Sequence, residues 1–204
     1  MMRIDMGNVT LEADRIVEKS YRIVRQYVPG DTDEDFILKR SVIALGDPQI
    51  KDIIVFRNDA VERGIEAVLA NARIVTDIRM VKVGISGEME TYTAVEHSEG
   101  AKERGITRAS MGMLNLRDKL DGAIVSIGNA PSAAITLCEL IEDGVRPAVV
   151  VGTPVGFVNA AESKEMIREL DVPSITCVGT RGGSTLCVAI VNGLINLARS
   201  RQTR

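Results

Sequence analysis

The clearest indication of the fold is the stretch AIVSIGNAP, residues 123–131. Its first five residues are apolar or small, a composition typical of a strand that is buried on both faces. Gly128 and Asn129 then supply a turn, and Pro131 suits the first turn of a helix, where its missing N–H is not needed. A buried strand, a glycine turn and a helix in this order predict one unit of a parallel sheet with helices between its strands.

The same alternation of strands and helices extends through the rest of the chain. Further strands are predicted at residues 53–56, 73–76, 91–95, 148–151 and 174–178. Helices are predicted at residues 14–28, 31–45, 59–70, 100–120, 131–142, 160–170 and 184–198. Strands that are apolar throughout need cover on both faces, so we expect a three-layer α/β fold, with a mostly parallel sheet and helices on both faces. We expect residues 1–204 to form a single domain, because no linker interrupts them.

The composition argues against several classes of protein. The chain has 204 residues, of which 45% are hydrophobic and 26% are charged, and its net charge is −3. A disordered chain is less hydrophobic, and a nucleic-acid binder is usually basic and often aromatic, whereas only 3% of these residues are aromatic. No apolar run approaches the roughly 20 residues that span a bilayer, and Asp5, Glu12 and Asp14 do not fit a signal peptide. We therefore expect a cytoplasmic protein that binds neither nucleic acid nor membranes.

The cysteines and the one histidine do not indicate a metal site. Cys138, Cys177 and Cys187 each lie in an apolar segment without metal-ligand spacing, so we expect inert core thiols. His97 is alone of its type, which argues against a site built on imidazoles, and its polar neighbours are typical of an exposed loop. We expect no cofactor and no bound metal.

The turns that follow the strands are the predicted ligand-binding edge, because parallel α/β sheets bind ligands beyond the carboxyl ends of their strands. These turns lie at residues 76–80, 128–131, 152–159 and 179–184. Three of them place glycine before a helix N-terminus, which suits an anion, and Arg181 adds a guanidinium. For any single turn, the alternative is that glycine only allows a short connection. The chain has no dinucleotide fingerprint, no P-loop and no nucleophile elbow, which disfavours dehydrogenases, P-loop NTPases and serine hydrolases.

Three segments of the chain resemble the precorrin-8X methylmutase family: AIVSIGNAPSAA (123–134), GTPVGFVNAAESKE (152–165) and GTRGGS (179–184). Weaker similarity extends from these segments towards the N-terminus, so that the match covers most of the chain. The resemblance implies an α/β isomerase of cobalamin biosynthesis, within porphyrin metabolism, that moves a methyl group from C11 to C12 of a corrin precursor. It implies a reaction without a cofactor, whose product is hydrogenobyrinic acid, or cobyrinic acid when cobalt is present. It also implies a homodimer with ligand sites near the subunit interface.

The implied substrate is an apolar tetrapyrrole with many carboxylates on its rim. An acidic protein must concentrate positive potential locally to bind such a polyanion. By their positions in the matched segments, Ser20 and Arg108 look like family ligand contacts, although an ordinary exposed helix residue is the alternative for Arg108. The remaining predicted substrate-binding residues are two arginines and members of the glycine turns, namely Arg79, Arg181, Gly128, Asn129, Gly156, Gly182, Gly183 and Ser184.

One position departs from the family pattern, and it concerns the proton donor. The histidine that the family uses lies in a segment ending in His-Ala-x-Gly, and Ile43 holds its position here. Because isoleucine cannot give a proton, another acid is needed, and Asp47 and His97 are the candidates. The alternative for Asp47 is that it caps a turn with Pro48. The alternative function is a non-catalytic corrinoid-binding protein, and a weaker third hypothesis is an unrelated enzyme acting on a phosphorylated metabolite.

Overall fold

The computed structural model describes residues 10–202 of the chain. Six strands in this part form one sheet: β1 (Ile54–Arg57), β2 (Ile74–Thr76), β3 (Thr91–Thr93), β4 (Ile124–Ile127), β5 (Val149–Gly152) and β6 (Ser174–Cys177). Their order is β1-β6-β5-β4-β2-β3. All neighbouring pairs are parallel except β1 and β6, which are antiparallel. The predicted mostly parallel α/β sheet is therefore confirmed.

Ten α-helices lie in the same described residues, and most of them connect parallel strands. They are α1 (Leu11–Val24), α2 (Asp33–Leu45), α3 (Ala60–Leu69), α4 (Arg79–Gly84), α5 (Ala101–Arg104), α6 (Arg108–Asn115), α7 (Arg117–Leu120), α8 (Pro131–Glu142), α9 (Ala160–Glu169) and α10 (Ser184–Gln202). Short 3₁₀ helices occupy Pro48–Asp52 and Ala94–Glu96. Between residues 10 and 202, no helix has both the length and the apolar character needed to cross a bilayer.

The two faces of the sheet bury different helices. Along β4, the Ile124 side chain joins a core with helices α1, α2, α3, α4 and α10, while Val125 and Ile127 join a core with α6, α8 and α9 on the other face. All three side chains are fully buried. Because successive side chains of a strand point to opposite faces, this central strand needs apolar or small side chains on both faces.

The helix α2 carries position 43, and its ends are defined by local sequence. Thr32 and Asp35 form a reciprocal capping box at its start, and Gly46 ends it with a left-handed conformation at φ 63°. Such a conformation favours glycine because it has no Cβ. The end of α2 and the 3₁₀ helix after it are thereby fixed beside each other.

Three elements differ from the sequence prediction. The helix expected at 100–120 is divided into α5, α6 and α7, because Gly105 adopts a left-handed conformation and Thr107 caps a new helix. Helix α4 follows β2 where only a turn was expected, and α1 ends at Val24 rather than near residue 28. These differences leave the order of strands and the position of the ligand edge unchanged.

Candidate functional site

Two of the glycine turns at the carboxyl edge of the sheet are bound directly to each other. The Gly183 N–H donates to the Thr153 carbonyl at 2.7 Å, and the Gly156 N–H donates to the Thr180 carbonyl at 3.2 Å. A Cβ built on Gly182 would lie 2.4 Å from the Thr153 oxygen, so this approach requires glycine. The turns at 152–159 and 179–184 therefore form one assembled surface.

The turn after β4 also meets this surface. A Cβ on Gly128 would lie 2.8 Å from both the Ser184 Cα and a methyl group of Val81. The first residue of α10 and the helix α4 thus pack against the backbone of the β4 turn. The structure brings together the turns that the sequence predicted at this edge.

Asp77, at the end of β2, is a buried side chain at this edge that the sequence prediction did not include. It is fully buried, and its carboxylate accepts hydrogen bonds from the N–H groups of Ile78 at 3.0 Å, Gly128 at 3.1 Å, Asn129 at 2.8 Å and Ala130 at 2.7 Å. Burial raises the pKa of Asp77, and the N–H donors oppose that shift. The sequence signal that could have identified Asp77 is a polar residue directly after an apolar strand. The backbone of the 128–130 turn was expected to receive an anion, but its N–H groups are already engaged by Asp77.

The predicted arginines sit in three different surroundings. Arg108 is exposed, and its guanidinium donates to the Val95 carbonyl at 2.8 Å and to Ser98 Oγ at 3.2 Å. Arg79 donates to the Glu96 carboxylate at 2.7 Å, and this hydrogen bond holds the pKa of Glu96 below its ordinary value. The positive charge of Arg79 is thus partly offset within the chain.

Arg181 pairs with the carboxylate of Asp47. Its own carbonyl accepts hydrogen bonds from Lys164 Nζ at 2.7 Å and Cys177 Sγ at 3.1 Å. Lys164 is fully buried, and burial lowers the pKa of its ammonium group. Lys164 therefore fixes the backbone that presents Arg181.

Asp47 has the capping role that was its alternative interpretation. It precedes the 3₁₀ helix that begins at Pro48, and its carboxylate accepts the Gln49 N–H at 2.9 Å. The same carboxylate receives Arg181. Asp47 thus connects the end of α2 to the glycine turn after β6.

A groove of about 430 Å³ lies between α1 and α2. Its lining is largely apolar and consists of Ser20, Ile23, Val24, Tyr27, Val42, Ile43, Gly46 and Pro48. Position 43 therefore faces the same groove as the predicted ligand contact Ser20. The Ser20 hydroxyl donates to the Ile16 carbonyl at 2.9 Å. Among residues 10–202, no carboxylate or imidazole belongs to this lining, but Asp47 lies in the sequence between two of its members, Gly46 and Pro48.

His97 and this groove lie on opposite faces of the sheet. Its ring is next to Tyr92, with ring centroids 6.1 Å apart, and Tyr92 packs against the core on the face opposite Ile43. The His97 carbonyl accepts the Asn115 side-chain amide at 2.8 Å. The structure does not bring His97 and Ile43 together within one chain.

The cysteines are buried and free, as predicted. Burial raises the pKa of the Cys138 thiol to about 12 and raises that of Cys177 as well. Between residues 10 and 202, no three His, Cys, Asp or Glu side chains are grouped so that they could hold a metal ion.

Comparison with known proteins agrees with this arrangement over nearly the whole chain. The family model of precorrin-8X methylmutase matches residues 15–197. The cobalamin biosynthesis protein CbiHC of Archaeoglobus fulgidus is 42% identical over 193 residues, which cover 95% of this chain and 42% of that protein. The cobalt-precorrin-8 methylmutase of Methanocaldococcus jannaschii is 38% identical over 97% of this chain and 100% of its own length.

A solved structure shares the fold. The crystal structure of precorrin-8X methylmutase from Thermus thermophilus has a TM-score of 0.84 and 39% sequence identity, and the match covers 91% of this chain and 98% of that one. The resemblance inferred from the three sequence segments is therefore confirmed: the chain belongs to the precorrin-8X methylmutase family.

Proposed function

We propose that this protein is an isomerase of cobalamin biosynthesis that moves a methyl group from C11 to C12 of a corrin precursor. The observation that carries this proposal is the match to methylmutases along their full length, as with the relative from M. jannaschii. The alternative, a tetrapyrrole-binding protein without activity, is not favoured, because the family model and the relatives matched along their full length carry the name of the enzyme. Residues 1–204 then form one methylmutase-like domain that works in the cytoplasm.

The site offers two kinds of surface that such a substrate needs. The groove between α1 and α2 supplies aliphatic and aromatic walls for the macrocycle. Asp47 lies at one end of the groove and pairs with Arg181. The Arg181 guanidinium is suited to bind a carboxylate on the rim of the substrate. Half-exposed ion pairs contribute little stability, about 0–1 kcal/mol, so a substrate carboxylate can replace Asp47 on Arg181. Ser20, Arg79, Arg108 and the glycine turns are proposed further contacts.

Ile43 cannot donate a proton, and Asp47 is our first candidate for the residue that does. When a substrate carboxylate takes Arg181, the Asp47 carboxyl is released from this pair next to the groove. His97 is the second candidate, and it would have to act from a partner subunit, since it lies on the opposite face of its own chain.

We also propose a homodimer that buries the apolar side of α1. Ile16 and Ile23 share this side at helical spacing, Tyr27 follows in the turn after α1, and the three are 59%, 49% and 45% exposed. This stripe borders the groove, so a second copy would cover the site from solvent. Sedimentation of the wild type and of Ile16→Glu tests this: we expect a dimer that dissociates in the variant, and a monomeric wild type would contradict the proposal.

The activity is tested by mixing the purified protein with precorrin-8X or cobalt-precorrin-8, without added cofactor, and recording the visible spectrum over time. We expect conversion to the spectrum of hydrogenobyrinic or cobyrinic acid. A shifted spectrum of bound substrate that never converts would indicate the non-catalytic alternative. An unperturbed spectrum with both substrates would overturn the proposed function altogether.

A further inference from the structure

Asp77 is a buried carboxylate that the methyl shift, as proposed, does not use. It is fully buried at the carboxyl end of β2, and among the described residues it forms no salt bridge with Lys or Arg. Four backbone N–H groups point at its two oxygens, three of them from the turn between β4 and α8. A buried charge without a cation needs such donors, because desolvation strongly disfavours it.

This arrangement changes what the start of α8 can do. The N-terminus of a helix usually offers unpaired N–H groups to an anion. Here the Oδ2 atom of Asp77 takes the N–H groups of Asn129 at 2.8 Å and Ala130 at 2.7 Å, and Oδ1 takes that of Gly128 at 3.1 Å. The N–H groups of the turn are therefore held by the protein itself and do not remain for an anion.

The side chain that this turn presents at the carboxyl edge is that of Asn129. Asn129 is exposed, and its side-chain amide has no hydrogen-bond partner between residues 10 and 202. The neighbouring residue on one side, Gly128, is fixed against Ser184 and Val81. Three residues after Asn129, the Ser132 hydroxyl is hydrogen-bonded to Thr107 Oγ1 at 2.8 Å. The Asn129 side chain thus lies in a segment whose residues 128 and 132 are both held in place.

We propose that Asp77 is a positioning residue, whose carboxylate fixes the 128–130 turn so that the Asn129 side chain hydrogen-bonds the tetrapyrrole. This inference rests on the proposed function, since it takes the corrin compound as the ligand. Asp77 itself does not touch the substrate. A neutral amide at position 77 would replace one acceptor by an NH₂ donor that opposes the turn N–H groups, and the turn would lose its fixed position.

Titration of each purified variant with hydrogenobyrinic acid, followed by visible absorbance, tests this role. A lost neutral hydrogen bond typically costs about 1 kcal/mol, so Asn129→Ala should weaken binding by about five- to tenfold. Asp77→Asn should weaken it at least as much, and the double variant should bind about as Asp77→Asn alone does, because both changes remove the same contact. The matched control is Ser126→Ala, one strand away, which is equally buried and whose hydroxyl donates to the Val75 carbonyl at 3.4 Å. It should bind within about twofold of the wild type.

The inference would be overturned if Asp77→Asn bound hydrogenobyrinic acid as tightly as the wild type does, or if the losses of affinity from the two substitutions were fully additive. Either result would leave the proposed function intact. A wild type that does not bind hydrogenobyrinic acid would overturn the proposed function, and this inference with it.

A measurement on the wild type covers the case in which Asp77→Asn does not fold. In amide-resolved NMR of the ¹⁵N-labelled protein, the backbone N–H groups of Gly128 and Ala130 should be protected from hydrogen exchange both with and without hydrogenobyrinic acid. The side-chain amide signals of Asn129 should shift on binding. Backbone amides that gain protection only with the ligand, or an Asn129 side chain that does not respond, would contradict the proposed role.

Discussion

Arg181 and Asp47 form an ion pair between segments 134 residues apart in the sequence. Asp47 follows the end of α2, where Ile43 and Gly46 line the groove, and Arg181 belongs to the glycine turn that begins α10. The pair therefore connects the apolar groove to the carboxyl edge of the sheet. Its side chains are 45% and 35% exposed, and we propose that a substrate carboxylate replaces Asp47 on Arg181.

Replacing Asp47 tests its role as the proton donor. A positioned general acid typically contributes about 10²–10⁴ in rate, so Asp47→Asn should lower kcat by at least about 10², while binding of hydrogenobyrinic acid changes little. The control is Asp52→Asn, on the adjacent 3₁₀ helix, whose carboxylate pairs with Lys51. Wild-type turnover by Asp47→Asn in the visible assay would exclude Asp47 as the donor.

Restoring an imidazole at position 43 should accelerate the reaction, because Ile43 lines the groove. We expect Ile43→His to raise kcat by at least about tenfold. Its turnover should decline as the pH rises through about 6.5, because the imidazole then loses the proton that it donates. Ile43→Leu keeps the apolar volume and should keep the wild-type rate and pH profile. Substrate binding by Ile43→His without any gain in rate over the wild type would show that position 43 does not reach the reacting carbon.

Removing the imidazole of His97 should have little effect. Its ring lies next to Tyr92 on the face of the sheet opposite Ile43, so His97→Ala should keep kcat within about twofold of the wild type. A fall of about 10² or more would assign the proton to His97 of a second subunit. Mixing His97→Ala with Asp47→Asn protein would then separate the two subunits' contributions.

The close approach of the two glycine turns predicts a difference between two glycine substitutions. A Cβ at position 182 would collide with the Thr153 carbonyl at 2.4 Å, whereas a Cβ at Gly179 meets no atom within 4 Å. Both positions have positive φ, so alanine at either one is strained by that conformation. Gly182→Ala should lower the free energy of unfolding by about 1–3 kcal/mol more than Gly179→Ala does, as measured by urea unfolding. Equal losses would mean that the turns are not held in contact.

The pair between Asp31 and buried Lys39 predicts a dependence of stability on pH. The hydrogen bond from Lys39, at 2.9 Å, holds the pKa of the Asp31 carboxyl below its ordinary value. Because the lowered pKa belongs to the folded state, the stabilisation is present at neutral pH and is lost as the pH falls through that lowered value. Asp31→Asn should therefore melt at a lower temperature than the wild type at pH 7, and this difference should narrow towards pH 3. Asp171→Asn, at an exposed position, should show neither effect.

Much of the fold could be predicted from the sequence, because the central strands carry their own pattern. Residues 123–127 are apolar on both faces, and the glycine turn and Pro131 after them mark the start of α8. The antiparallel direction of β1 could not be predicted in this way. It is set by pairing with β6, a contact between segments about 120 residues apart that no local pattern encodes.

The site was predicted less completely, because its geometry depends on tertiary contacts. The glycine turns were found from the rule that parallel sheets bind ligands at their carboxyl edge. The role of Asp77 was not found, since a single carboxylate after a strand does not reveal that it accepts N–H groups from a turn about 50 residues away. The groove that unites Ser20 with Ile43 likewise arises from the packing of α1 on α2.

The most direct test of the proposed reaction is to follow the migrating methyl group itself. A substrate labelled with ¹³C in the C11 methyl group, incubated with the wild-type protein, is examined by ¹³C NMR after extraction. We predict that the labelled signal moves to the position of a methyl group on C12, with no change in the mass of the compound. A label that stays on C11, in protein shown by its spectrum to hold the substrate, would contradict the assignment of this chain as a methylmutase.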